Sequence, residues 1–183
     1  MTRNEALNIL QEYTKSESLL KHAYAVEAVM RAYAQKYGED EELWGIIGLL
    51  HDFDYEMYPD EHPMKGSEIL REKGVSEEIR TAILGHADFS GVPRETLMAK
   101  VLYAVDELSG FITAVTLVRP NKALSEVKMK SVKKKLKDKS FAAKVNREEI
   151  TKGAEELGVD FSEHVEFVIK AMSGVADRLG LNP

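Results

Sequence analysis

The sequence predicts an all-α fold, and three observations carry that reading. Apolar residues recur at spacings of three and four along most of the chain. Alternating β-branched runs and the Asn-Gly or Asp-Gly pairs of tight hairpins are absent. Helix-starting and helix-stopping residues flank the apolar stretches. With 44% hydrophobic and 31% charged residues, 183 positions can bury one sizeable core, so a single domain is expected rather than a disordered chain.

The elements follow in order. A first helix is expected from about Asn4 to Tyr13 and a second from about Glu17 to Tyr37. In the second, Leu19, Ala23, Val26, Met30 and Tyr33 step by four, three, four and three and so form one face. Gly38 is its stop. The third, Asp40 to about Asp52, is apolar nearly all round, which is the mark of a buried helix. The polar stretch "FDYEMYPDEHP" is a loop, and Pro63 then suits the first turn of a short helix that Gly74 closes. Ser76 would cap another running to about His86. A long helix from about Arg94 to Val118 carries a core stripe of Met98, Val101, Val105, Leu108, Ile112 and Val115, and Pro120 ends it. The stretch 125–139 reads as a helix exposed on its basic side, and two last helices cover about 147–157 and 161–179.

Composition bounds the function. Without cysteine there are no disulfides, thiolate nucleophiles or Cys-based zinc sites, which fits a reducing cytosol. The N-terminus lacks a signal-like apolar region, and no apolar run approaches the ~18 residues of a membrane span. A cytoplasmic protein without a membrane partner is therefore expected. The net charge of −6 is uneven: residues 119–147 hold eleven Lys or Arg against Glu126 and Asp138, a surplus of nine, so the remainder stands at −15. Such asymmetry can mark an anionic partner. Aromatic interleaving is missing, however, and Val127, Val132 and Leu136 give the basic helix an inward face. A solvated face is thus favoured over nucleic-acid binding, and the helix could also raise positive potential over a pocket.

Two of the five histidines fall at predicted buried faces, together with two carboxylates. His22 stacks near Leu19 and Val26, His51 and Asp52 end the most buried helix, and Asp106 sits at the edge of the long helix's core stripe. Two imidazoles and two carboxylates from three helices thus point to one interior. A buried carboxylate needs a partner, and a divalent cation with neutral imidazole ligands supplies one. A lone histidine on an apolar face is ordinarily a satisfied core residue, and an isolated "HD" is common by chance. The coincidence of three buried faces is what favours a metal. Mixed N and O donors suit Mn, Fe, Co, Ni, Zn or Mg.

The order His22, His51–Asp52, Asp106, within "LLKHAYAVEAVM", "GIIGLLHDFDYE" and "YAVDELSGFITA", resembles the HD superfamily of metal-dependent phosphohydrolases. The likeness covers roughly residues 15–120. The remainder, about 121–183, resembles the basic C-terminal part of a subgroup of small predicted HD-superfamily hydrolases. The resemblance implies an HD-domain helical bundle in which His22, His51, Asp52 and Asp106 ligate one divalent metal. "HPMKGSEIL" with His62 and "ILGHAD" with His86 look like the extra histidines of two-metal branches, with Asp52 bridging. Those branches usually carry a His-His pair where this chain has His86–Ala87, so one or two ions remain open. His164 lies outside the resemblance and reads as structural or exposed.

An open metal can polarise a phosphoryl oxygen and ionise water. Asp54 and Glu56, close after Asp52, are candidates for general acid or base beside it. An anionic substrate such as a nucleotide needs cationic contacts, for which Lys65, Arg119 and Lys122 are the candidates, with Lys21 beside His22 a further one. Three functions follow: a phosphohydrolase of a nucleotide or other phosphate ester, a di-iron oxygenase of the HD type, and a non-catalytic nucleotide- or RNA-binding module.

Overall fold

The computed structural model describes residues Met1–Pro183 and contains nine α-helices and no strand. They are α1 (Arg3–Tyr13), α2 (Glu17–Tyr37), α3 (Glu41–Leu50), α4 (Met64–Glu72), α5 (Glu77–Gly85), α6 (Leu97–Leu117), α7 (Met129–Lys137), α8 (Arg147–Leu157) and α9 (Phe161–Ser173). Short 3-10 turns occupy Asp88–Ser90 and Leu124–Glu126. No helix is long and apolar enough to cross a membrane.

The apolar stripes read from the sequence are the buried faces. Ala23, Val26, Met30 and Tyr33 of α2 and all six stripe residues of α6 are buried. They join one contiguous core that also takes Trp44 to Leu50 from α3 and Val132, Ile150, Val165 and Val168 from the C-terminal third. Residues 121–183 therefore pack into the same core as the segment before them. Two glycines set the closest approaches. A Cβ on Gly48 would lie 2.8 Å from the Glu27 backbone, and one on Gly153 would lie 2.7 Å from Ala104 Cα. The α2–α3 and α6–α8 pairs thus sit nearer than side chains at those positions would allow.

Several boundaries differ from expectation, α7 among them, which starts only at Met129 after a separate 3-10 turn, and three have local reasons. α3 stops at Leu50, because the His51 side chain takes the Gly48 carbonyl three residues back and the chain turns through residues 51–57. α6 begins at Leu97 rather than near Arg94, because the Thr96 hydroxyl accepts from Ala99 N–H and caps it. α9 ends at Ser173, and the chain continues in turns that bury Leu179 and Leu181. Ser76 precedes α5 but makes no capping bond with its side chain.

Candidate metal centre

Five segments deliver the histidines and carboxylates. α2 contributes His22, the turn after α3 contributes His51 and Asp52, the end of α5 contributes His86, and α6 contributes Asp106. The loop before α4 contributes His62. His22 Nε2 lies 2.9 Å from Asp106 Oδ1 and 3.6 Å from Asp52 Oδ2. His51 Nε2 lies 3.1 Å from Asp106 Oδ1, 3.2 Å from Asp52 Oδ2 and 3.2 Å from His22 Nε2. The other Asp52 oxygen, Oδ1, faces His62 Nε2 and His86 Nε2, each at 3.2 Å. One carboxylate therefore joins two donor groups, His22–His51–Asp52–Asp106 and Asp52–His62–His86.

The rings are oriented from behind. His51 Nδ1–H donates to Gly48 O at 2.7 Å, and His86 Nδ1–H donates to Ile83 O. His62 Nδ1–H donates to Asp54 Oδ1 at 2.6 Å, and Asp54 Oδ2 accepts from Gly66 N–H at 2.7 Å. With Nδ1 carrying the proton, each Nε2 presents a lone pair to carboxylate oxygens that are themselves acceptors. Lone pairs meeting lone pairs repel unless something positive lies between them, so this donor set fits a divalent cation. Protons are the alternative occupant. Burial opposes charge on His51, yet Asp52 and Asp106 hold its pKa well above the ordinary value. Burial likewise opposes charge on His62, but hydrogen bonds to Asp52 and Asp54 raise it to about 9. Burial disfavours the Asp52 and Asp106 carboxylates, and facing His51 overcomes this and keeps both below the usual range. Metal must therefore compete with protons here.

The centre opens into a cavity of about 610 Å³ whose lining includes His22, Asp52, His62, His86 and Asp106. Glu107, Asn146 and Glu149 also line it, and none of them was singled out in the sequence. Burial, reinforced by neighbouring Asp106, pushes the Glu107 carboxyl up to about 7. Glu107 could have been suspected from its place beside Asp106. Asn146 and Glu149 could not, because nothing local says that residues 145–149 return to α6.

Several expected site residues lie elsewhere. Asp54 is not at the mouth: it is 1% exposed, and both its oxygens are taken by His62 and Gly66. Glu56 faces away, its carboxylate accepting from the backbone N–H of Lys15 and of Ser16 ahead of α2. Neither is free to act as acid or base beside the centre. Lys65 reaches Glu68 and the Tyr58 ring, Arg119 reaches Glu126 and lines a separate basic cleft with Lys130, Lys134 and Lys135, and Lys122 is exposed in a turn. No Lys or Arg lines the metal cavity. His164 is buried and remote, donating from Nε2 to Ala104 O at 2.8 Å and accepting at Nδ1 from the Tyr33 hydroxyl.

Comparisons with known proteins bear on the family. A family profile described as HD domain matches residues 19–110, which include all six side chains of the two donor groups. Ribonuclease Y of Lawsonia intracellularis (strain PHE/MN1-00) is 33% identical over 108 residues, a match covering 57% of this chain and 20% of that protein. The chain thus spans a fifth of the length of this curated relative. No solved structure matches it.

Proposed function

The chain belongs to the HD domain family, whose members are generally metal-dependent hydrolases, and from that premise we propose that it hydrolyses a phosphate ester of nucleotide type. The observation that supports this most is the split Asp52 carboxylate, with one oxygen on His22 and His51 and the other on His62 and His86. His22, His51, Asp52 and Asp106 would hold one divalent ion, and Asp52, His62 and His86 would hold a second. Such ions supply Lewis-acid polarisation of the phosphoryl group and ionisation of water. The chain's own residues do the rest. Asp54 and two backbone carbonyls fix the imidazoles, and Glu107 and Glu149, which line the same cavity, are the candidates for acid or base, the role expected of Asp54 and Glu56. Because the cavity lining holds no Lys or Arg, the positive charge for an anionic group at this end would come from the ions. The ribonuclease name of the relative brings RNA phosphodiesters among the candidate substrates.

The test is elemental analysis of the purified protein, followed by turnover of p-nitrophenyl phosphate and a nucleotide panel with Mn, Fe, Co, Ni, Zn and Mg in turn. Metal-dependent release of phosphate is expected. A well-loaded protein inert towards every ester would overturn the reading. The four histidines also favour a second reading, a di-iron oxygenase. Two irons per chain, an optical charge-transfer band and oxygen consumption would select it.

A further inference from the structure

A second cavity, of about 680 Å³, meets the metal cavity at His22 and Gly110, which line both. The two form one trough along a single face of α6. Asp106, Gly110, Thr113 and Leu117 are spaced by four, three and four residues, so they stack in line. From Asp106 to Leu117 that face runs about 16 Å at the α-helical rise. Gly110 keeps the passage open, because a side chain there would stand between the cavities beside His22.

The chemistry changes along the trough. The metal end is lined by Asp52, Asp88, Asp106, Glu107 and Glu149. Lys21 is the sole Lys or Arg lining either cavity, and it stands in the second. Gly180 leaves the room its amine occupies: a Cβ there would lie 2.9 Å from Lys21 Nζ. The Lys21 partner is Glu17 at 2.7 Å, a side chain 82% exposed. A solvent-exposed pair of this kind is weak, so a phosphate can replace Glu17. Hydroxyls also line the second cavity: Thr113 donates to Ser109 O and keeps its lone pairs free, and Ser16 and Ser18 bond each other.

We propose that the second cavity is a substrate subsite in which Lys21 holds a second phosphate, separated from the hydrolysed one by a hydroxyl-bearing sugar. The substrate class is then a nucleotide with two separated phosphates or a short oligonucleotide, not a small monophosphate. This deepens the phosphohydrolase reading and rests on it.

Calorimetry on the manganese-loaded protein tests the subsite with adenosine 5′-monophosphate, adenosine 3′,5′-bisphosphate and the trinucleotide pApApA. A charge-assisted contact predicts about tenfold tighter binding of the bisphosphate than of the monophosphate. Lys21→Ala and, separately, Thr113→Phe should each bring that ratio close to one, and Lys21→Arg should restore it. A further gain for pApApA that Thr113→Phe abolishes assigns the trough to oligonucleotides, whereas no gain assigns it to free nucleotides. Equal binding of monophosphate and bisphosphate by the unaltered protein overturns the proposal. So do variants that weaken both ligands together. Metal content and p-nitrophenyl phosphate turnover report separately on the phosphohydrolase reading. If turnover fails while the ratio responds to Lys21, that reading falls, and with it the substrate role, leaving a phosphate-binding pocket at Lys21.

Discussion

Two histidine environments in this protein make opposite uses of burial. Around His164 every polar atom has a complementary partner: Tyr33 donates to one ring nitrogen, and Ala104 O accepts from the other. That histidine is electrically complete. In the centre, Nδ1 of His51, His62 and His86 is satisfied from behind, while Nε2 of each faces further acceptors. That arrangement is incomplete without a cation or extra protons. Burial alone therefore does not distinguish a structural histidine from a ligand; the direction of the unspent lone pair does.

The comparison can be broken most severely at Asp52. Asp52→Ala removes the carboxylate shared by both donor groups, so metal content should fall towards zero and ester turnover by about a thousandfold or more, with the helical fold kept. Full metal content by elemental analysis would show that the bridging assignment is wrong. Asp54→Ala acts more selectively. It frees His62 Nδ1 and leaves Gly66 N–H without its acceptor, so affinity at the His62–His86 group should drop about 10–100-fold while the His22–Asp106 group still binds. A metal titration resolving two binding steps would read this directly.

At the complete histidine the effect is on stability. His164→Ala strands the Tyr33 hydroxyl and the Ala104 carbonyl and should cost about 2–4 kcal/mol in denaturant melts, with metal content unchanged. Burial also lowers the His164 pKa below its ordinary value, with proximity to Lys36 adding to this against the bond to Ala104 O. The unfolded chain therefore takes up the proton first on acidification. The His164 contribution to stability is whole above about pH 6.5 and is lost as pH falls from there through the lower folded value. His164→Phe should flatten that part of the stability–pH curve. The smallest effect is expected far from either histidine set. Lys134→Glu with Lys137→Glu should change p-nitrophenyl phosphate turnover by no more than about twofold, since exposed charges on α7 act only through a screened field. Complete loss would place α7 within the catalytic centre.

Much of this could be read in the chain. The stripes of α2, α3 and α6 gave those helices to within a few residues, because a helix repeats its buried face every turn. His22, His51, Asp52 and Asp106 stood out because polar donors bordered apolar stripes. Asp54 and Glu56 are suggested by nearness to Asp52 along the chain, and Lys65, Arg119 and Lys122 by charge, and neither says much about direction once the helix ends. Asp54 turned inward to His62, and Glu56 turned back to the start of α2.

By itself, then, the sequence determined the helical class, the buried faces and the ligand types available to a cation, since all three depend on local periodicity and side-chain chemistry. The family resemblance already implied that Asp52 bridges to His62 and His86; only the tertiary structure decided that residues 145–149 wall the cavity and that no Lys or Arg does. Those outcomes depend on how helices far apart in the chain pack against one another, and no local pattern records that packing.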